Sequence, residues 1–518
     1  MTWTLGEFVA AAGGAPTDAT RGLSAELAGV EVGGVVIDSR AVVPGVVFVA
    51  LPGERTDGHD HVAAALAAGA LAAVVERAVE GVPADRLIVV DDAIAALARL
   101  ADAYRDRLAA GGCKVIAVVG SNGKTSTRHT IFGLLNGRHV RRPTELAAEQ
   151  SADDPATWAM RPLVGTEAQA SFNNAIGVPV TLLNARGGDD YVVCEIGTNA
   201  PGETDALARL VRPDAVVLTS IGAEHLEGFG DLAGVAREEA AVLDHLRDGG
   251  VVVADAAAWS AVVDAVPGAA ERGLAVVTVG EAGALQTRNA EFVEDGVVFD
   301  LAVGDAGDAL LGALVGVGWF VPQYGAWSAG SAAMALVVGR WLGVDATQLR
   351  HGLAAAVGMP RRMERLVFGG RAGEVVVWDD AYNANPDSMR HALDHVERLG
   401  RGGPSKRRER LVVVLGDMLE LGAGSAAEHA AARARVAGLI ERGVVDAAHW
   451  VGERMGGAAD DGAIEAIVAS IEPGDEVVLK ASRDTRLVRV VEGLRTRFGV
   501  PASSVDGLGT GSGVVLGR

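Results

Sequence analysis

The sequence predicts an α/β protein of three domains, and three observations carry that prediction. Short apolar runs ("KVIAVVG", "YVVCEIG", "AVVLTSIG", "GVVVADA", "RLVVVLGDM", "DEVVLKAS") alternate with Ala-rich stretches of helical pattern, as in βαβ units around largely parallel sheets. The runs are continuously apolar, the mark of strands buried on both faces. The chain has 518 residues, too many for one core.

The first stretch holds the runs "GGVVIDSR", "GVVFVAL", "LAAVVE" and "RLIVVDD", then the helical pattern "AIAALARLADAYRDRLAAGG". Gly111 and Gly112 read as a helix stop, so a small α/β domain is expected over residues 1–110. A central parallel-sheet domain is expected over 111–358, from "KVIAVVG" to the long helical stretch "SAGSAAMALVVGRWLG". The third, 359–518, begins near "GMPRRMERL" and carries "EVVVWDDA" and "HWVGE". Residues 138–170 and 401–410 read as loops, the first so long that it is either functional or mobile.

Charge and cysteine content narrow the function. With 46 basic against 67 acidic residues the net charge is −21, which argues against a nucleic-acid or anionic-membrane binder but leaves room for a local phosphate pocket. Cys113 and Cys194 abut apolar runs without metal-ligand spacing, so buried thiols in a reducing compartment are expected. The N-terminus lacks a basic leader pattern and no apolar run reaches spanning length, so a soluble cytoplasmic protein without membrane insertion is expected. Only Lys114, Lys124, Lys406 and Lys480 are lysines, which gives each one weight.

The chemistry starts at "GSNGKTST", residues 120–127, between the strand-like "KVIAVV" and the helical "RHTIFGLLN". Gly120 and Gly123 let the loop, with Ser121, Asn122 and Ser126, turn its N–H groups onto phosphate oxygens at a helix N-terminus. Lys124 would neutralise the outer phosphates of ATP and Thr125 would present its hydroxyl to Mg²⁺. The strict pattern asks for a glycine where Val118 stands. Glu195 is the candidate second metal ligand, and His225 in "IGAEHLEGFG" is a further ligand or a charge partner. Glu195, Thr219, Asp379, Asp380, Asp417, Lys480 and Ser482 all fall at carboxyl ends of runs, the ligand-binding edge of open parallel sheets.

"SFNNAIGVPVTLL", "EIGTNAPGE", "DDAYNANPDSM", "VLGDMLELG" and "VVLKASRDTRL", together with the phosphate loop and "IDSRAVVPGVVFVALPGERTDGHD", resemble the Mur ligases in order and spacing. The resemblance implies a central P-loop domain, a Rossmann-like C-terminal domain and an N-terminal UDP-sugar domain. It implies an ATP-dependent, monomeric ligase that makes an amide through an acyl phosphate. UDP-muramoyl-tripeptide and D-Ala-D-Ala would be its substrates, in peptidoglycan precursor synthesis. By the same resemblance Ser39 and Arg40 hold the uridine nucleotide, beside Gly53 and Asp57, and Asn173 and Asn174 meet the muramoyl peptide. Thr125, Glu195 and His225 face metal, and Arg362, in place of the arginine of a "PGR" motif, meets ATP. Asp380, Asn383 and Asn385 lie in a nucleotide- and acceptor-facing loop, with Ser482 and Arg483 near the dipeptide. For Asn385 an Asx turn before Pro386 is an equal alternative.

Departures accompany the resemblance. Glu239 stands where the family has a carbamoylated lysine, assigned here a catalytic role with Lys124 and His225, and no lysine occurs from 125 to 405. Trp327, Ser328 and Ser331 stand where the family has a histidine and two asparagines at the adenine, and Trp327 can stack on a base. Ala200 replaces a histidine, and the 138–170 segment is long. Two readings follow: a divergent active ligase, or a weakly active paralogue that binds nucleotide-sugar. A related ligase with another acceptor is a third.

Overall fold

The computed structural model describes residues 3–13, 25–53, 56–136, 141–143, 160–169, 171–224, 226–293, 295–304, 309–325, 327–370, 373–400 and 409–503. His225, most of the 138–170 segment and residues 401–408 lie outside them. The expected α/β architecture is present in three successive sheets.

The first is a parallel sheet of β1 (Gly34–Val36), β2 (Val46–Val49), β3 (Ala72–Val75) and β4 (Leu87–Val89), in that order. Asp92 caps the following helix, Ala93–Ala110, by accepting the Ala95 N–H, which satisfies one of the helix's orphan donors. This helix does not end a separate core. Its Leu97, Leu100 and Tyr104 belong to one cluster that joins Val35, Val47 and Val74 to Val115, Val178 and Val192 of the next domain. Arg105, fully buried, donates to the carbonyls of Val211 and Arg212, each at 2.8 Å, and to Asp214 at 2.7 Å. The Asn184 amide pairs with both the N–H and the carbonyl of Val35 at 2.9 Å. The 110/111 position therefore divides the chain but not the packing.

The central segment contributes a short ribbon, β6 (Arg141–Pro143) with β7 (Met160–Pro162), and a nine-stranded sheet. The sheet comprises β5 (Lys114–Val119), β8 (Gly165–Glu167), β9 (Tyr191–Glu195), β10 (Ala215–Leu218), β11 (Val251–Asp255), β12 (Ala275–Val279), β13 (Leu285–Val293), β14 (Gly296–Val303) and β15 (Gly316–Val321). Their order is β15-β14-β13-β12-β11-β10-β5-β9-β8. Pairing is parallel from β8 to β13 and antiparallel through β14 and β15, so the far edge departs from the expected parallel sheet, β13 and β14 being joined by too short a connection to be parallel. The last segment forms β16 (Glu364–Gly370), β17 (Gly373–Asp380), β18 (Arg410–Gly416), β19 (Ala447–Val451), β20 (Asp475–Lys480) and β21 (Ala502–Ser503), ordered β19-β18-β20-β17-β16-β21. Here β19, β18, β20 and β17 are parallel.

The two large sheets present their carboxyl edges to each other. Tyr324 from the central domain packs edge-on against Trp378 of β17 at 4.6 Å, and Phe292 of β13 against His395 at 5.3 Å. His395 is buried in this apolar contact, which pushes its ring down to about 3. Among the described residues no helix is long and apolar enough to cross a membrane.

The shared core and Arg105 make a testable pair. Arg105→Met should cost about 3 kcal/mol, because Asp214 loses the buried partner of its charge. The first and central domains should still melt in one calorimetric transition; two separate transitions would show that they do not share a core.

Candidate functional site

The phosphate loop is shaped by its glycines and braced from the next strand. Gly120 holds φ 117, and a Cβ there would lie 2.6 Å from Thr219 Oγ1 and 2.7 Å from the Ser220 carbonyl. Gly123 holds φ 83 at the start of the helix Lys124–Leu135. Ser121 N–H donates to the Ser220 carbonyl at 2.9 Å and Asn122 N–H to Ser220 Oγ at 2.8 Å. Val118, which breaks the strict pattern, is an interior residue of β5 paired with Glu195; the chain turns only at Gly120, so no glycine is needed there.

Lys124 Nζ folds back to donate to the Gly120 and Ser121 carbonyls and lies 3.5 Å from Glu224 Oε1. Burial pulls its pKa down, but the carboxylates of Glu224, Glu239 and Glu195 outweigh that and leave it above the usual lysine value. The side chain is a fixed ammonium.

Thr125 is the meeting point of two domains. Its Oγ1 donates to Glu195 Oε1 at 3.0 Å and accepts from Arg362 Nη2 at 2.8 Å. Glu195 Oε1 also accepts from Asn173 Nδ2 at 3.2 Å, and Glu195 Oε2 lies 3.3 Å from Arg128 Nε. Arg362 stacks over the Tyr382 ring at 4.2 Å. It follows Arg361, which takes the place of the glycine in the expected motif and holds φ 61. Asp380, at the end of β17, pairs with Lys480, its register partner on β20, at 2.7 Å and accepts the Met363 N–H at 3.2 Å. Burial raises the Asp380 pKa against the pull of Lys480, and burial raises neighbouring Asp379 to about 6.

These groups surround a cleft of about 350 Å³, lined by Ser121–Ser126, Asn173, Asn174, Glu195, Trp327, Arg362, Asp380, Asn383 and Asn385. The structure thus gathers most of the expected nucleotide and substrate residues. A second cavity of about 370 Å³ opens from it past Ser171, Glu224, Tyr382 and Glu420 and reaches Ser482 and Arg483. A third, of about 860 Å³, extends on the other side of the loop past Trp327, Ser331, Met334 and His391.

Several expected residues stand elsewhere or are already engaged. Glu239 does not line the cleft. It is 1% exposed, and its Oε2 accepts the Gly120 N–H at 2.9 Å, so it braces the loop from the protein side. That puts it behind the loop, not at the cleft surface where the catalytic assignment places it. Ser331 Oγ accepts from Thr127 Oγ1 at 2.9 Å, and Trp327 lies edge-on to His391 at 4.9 Å. Ser482, at the border of the second cavity, is buried between the Leu419 N–H and the Ala384 carbonyl and ties two loops together. Asn174 Oδ1 caps a helix by accepting the Ile176 and Gly177 N–H groups. Asn385 makes the expected Asx turn, its Oδ1 accepting the Ser388 N–H at 2.8 Å, and its Nδ2 donates to Asn122 Oδ1 of the phosphate loop at 2.7 Å.

Ser39 and Arg40 lie on the first domain outside the cleft, with Arg40 forked onto Asp38. Asp57 orients buried His59 at 2.7 Å and pairs with Arg77, whose guanidinium holds the carboxyl well below the usual range. Gly53 is required where it stands, since a Cβ would lie 2.7 Å from the Thr56 carbonyl. His225 lies outside the described residues. Sequence reasoning did not place Glu224, Tyr382 or Glu420 at the cleft, nor Arg128 behind it, and placed Lys480 only at the carboxyl end of its run.

Thr125 and Glu195 offer hard oxygen donors at the loop. Among the described residues no cluster of three or more His, Cys, Asp or Glu is gathered. The Thr125 hydroxyl and the Glu195 carboxylate suit Mg²⁺, which takes one or two carboxylates and completes its shell with phosphate and water.

Known proteins resemble this chain over most of its length. The Mur ligase middle domain matches residues 118–312, the Mur ligase glutamate ligase domain 361–483, and the Mur ligase family catalytic domain 31–105. A Mycobacterium leprae protein named UDP-N-acetylmuramoyl-tripeptide–D-alanyl-D-alanine ligase is 33% identical, over 88% of this chain and 91% of its own. A Bacillus subtilis protein of the same name is 28% identical, over 89% and 93%. The crystal structure of MurF from Acinetobacter baumannii aligns with TM-score 0.71 at 24% identity, covering 96% of this chain and 99% of that one. MurF ligase from Thermotoga maritima in complex with ADP aligns with TM-score 0.66 at 23% identity, covering 90% and 98%.

Glu239 gives a pH test. Burial, opposed by Lys124, raises its pKa from 4.5 to about 7. The folded state therefore binds more protons than the unfolded state between those values, and stability falls as pH rises through that window. Glu239→Gln keeps an acceptor for Gly120 without the charge. It should be more stable than the parent by up to about 3 kcal/mol above pH 7, with the gain gone by pH 4.5; a pH-independent difference in chemical denaturation would refute the assignment.

Proposed function

This chain belongs to the Mur ligase family, and we propose that within it the chain adds D-Ala-D-Ala to UDP-N-acetylmuramoyl-tripeptide with consumption of ATP. The observation that carries the reading is Thr125, bound at once to Glu195 of the central domain and Arg362 of the C-terminal domain. A phosphate loop served from both sides suits transfer to a second substrate lying between the domains.

The γ-phosphoryl group passes to the tripeptide carboxylate, giving an acyl phosphate and ADP. The dipeptide amine then attacks the acyl carbon, the amide forms and phosphate leaves. Lys124 holds the outer phosphates with its ammonium, and Arg362 places a second positive charge where the transferred group carries its oxygens. Thr125 and Glu195 would hold Mg²⁺, which when bound neutralises phosphate charge. Asn173, fixed on Glu195, and Asn174 face the muramoyl peptide. Asp380 is held by Lys480 at the nucleotide, with Asn383 and Asn385 beside it. Ser39 and Arg40 on the first domain would receive the uridine nucleotide. The acceptor enters through the cavity that ends at Arg483. Trp327 offers a ring to the base, and Ser331, spent on Thr127, contributes little to reading it. The enzyme would work as a cytoplasmic monomer.

ADP formation by purified protein should require both UDP-muramoyl-tripeptide and D-Ala-D-Ala, and Lys124→Ala should lower it at least about a hundredfold. Turnover with either substrate omitted, or unimpaired turnover in the variant, would defeat the reading. A melting shift with the uridine substrate but none with Mg-ATP would instead identify a non-catalytic binder.

A further inference from the structure

Arg128 has no place in the chemistry above, yet it is among the most deeply buried charges of the molecule, 1% exposed. It lies one turn beyond Lys124 on the same helix, so one rigid element sets the position of both. Its guanidinium reaches two carboxylates. Nε is 3.3 Å from Glu195 Oε2, and Nη1 is 3.2 Å from Glu167 Oε2. Glu167 is in turn met by His129 Nδ1 at 3.0 Å.

Glu167 ends β8, the edge strand that follows the long segment after the phosphate-loop helix. The strand is held in place. Gly165 packs against the Tyr191 ring where no Cβ fits, Thr166 Oγ1 donates to Asp189 at 2.7 Å, and Val164 N–H donates to Asp190 at 3.0 Å. The two carboxylates thus come from neighbouring parallel strands, with Arg128 lying across them from the helix.

Arg128 does not line the cleft, so it acts through Glu195. Glu195 Oε2 lies at ion-pair distance from the guanidinium, and Oε1 is the oxygen turned toward Thr125 and Asn173. We propose that Arg128 is a positioning residue that fixes the orientation of the Glu195 carboxylate for a divalent cation, and that Glu167, delivered by β8, fixes Arg128. The proposal rests on the reading of Glu195 as a metal ligand. It gives the edge strand a purpose: a second carboxylate keeps the arginine from collapsing fully onto Glu195 and neutralising it. A planar fork is suited to two carboxylates at once, whereas a lysine ammonium is a single point of charge.

Arg128→Lys keeps the charge and removes the fork, so it separates geometry from electrostatics. The measurement is ADP affinity by calorimetry, with Mg²⁺ titrated and with Mg²⁺ removed by chelator. Arg128→Lys should raise the Mg²⁺ concentration for half-maximal enhancement of ADP binding about tenfold, as loss of outer support for a metal ligand does. Affinity for ADP without metal should stay within about twofold, and the melting temperature should change little. Glu167→Gln should move the Mg²⁺ dependence in the same direction, and the double variant should be no worse than Arg128→Lys alone, because both act along one path. An unchanged Mg²⁺ dependence in Arg128→Lys, or an equal loss with and without metal, would overturn the proposal. If the parent protein itself binds ADP without regard to Mg²⁺, the metal reading of Glu195 fails and this proposal fails with it.

Discussion

The hydroxyl of Thr125 is where the architecture converges. It donates to Glu195 and accepts from Arg362, so the central and C-terminal domains share one oxygen at the foot of the phosphate loop. The surrounding structure is arranged to make that possible. β9 ends at Glu195, the helix Lys124–Leu135 begins one residue before Thr125, and the two sheets turn their carboxyl edges together. The apolar contacts of Tyr324 with Trp378 and Phe292 with His395 hold the edges in register. Separating the domains would strip Glu195 and Thr125 of Arg362, and the loop would lose half of its positive surroundings.

Electrostatics explain why this arrangement is tolerable in an acidic protein. Lys124 is surrounded by Glu224, Glu239 and Glu195, whose charges hold it protonated against burial. Glu239 pays for that position with a raised pKa. A carboxyl that can exist neutral beneath the loop opposes incoming phosphates less than a permanent anion would. The same residue holds the Gly120 N–H, which keeps the loop's first turn in shape.

Much of this was legible in the chain. The loop, the flanking strand and helix, Glu195 at a strand end and Arg362 beyond the central domain are local patterns, and each sits where its pattern put it. What escaped depends on where lone pairs and protons go, which residue type does not reveal. Ser482, Ser331 and Asn174 have the chemistry of ligand contacts, but their oxygens are engaged within the fold. Arg128 looks like any helical arginine until residues 39 and 67 positions further along the chain close on it. The shared core across the 110/111 position escaped for a related reason: a glycine pair marks the end of a helix, not which neighbours its sides will meet.

The buried charges also bear on whether the site still works. Arg128, Glu195, Asp380 and Lys480 are buried, and Lys124 and Arg362 half-buried, in or behind the cleft. Burying such groups opposes folding, and an apolar set of similar volume is often as stable or more so. A chain kept only for binding a nucleotide-sugar on its first domain has no use for that arrangement, since Ser39 and Arg40 lie outside the cleft. Substitution toward apolar residues would be free to accumulate there. The departures named above, at Glu239, Ala200, Trp327, Ser328, Ser331 and Arg361 among them, leave the groups that meet at Thr125 in place. Lys124, Thr125, Glu195 and Arg362 thus remain gathered at the phosphate loop, at the cost of burying charge, which a ligase has a use for and a mere binder of a nucleotide-sugar does not.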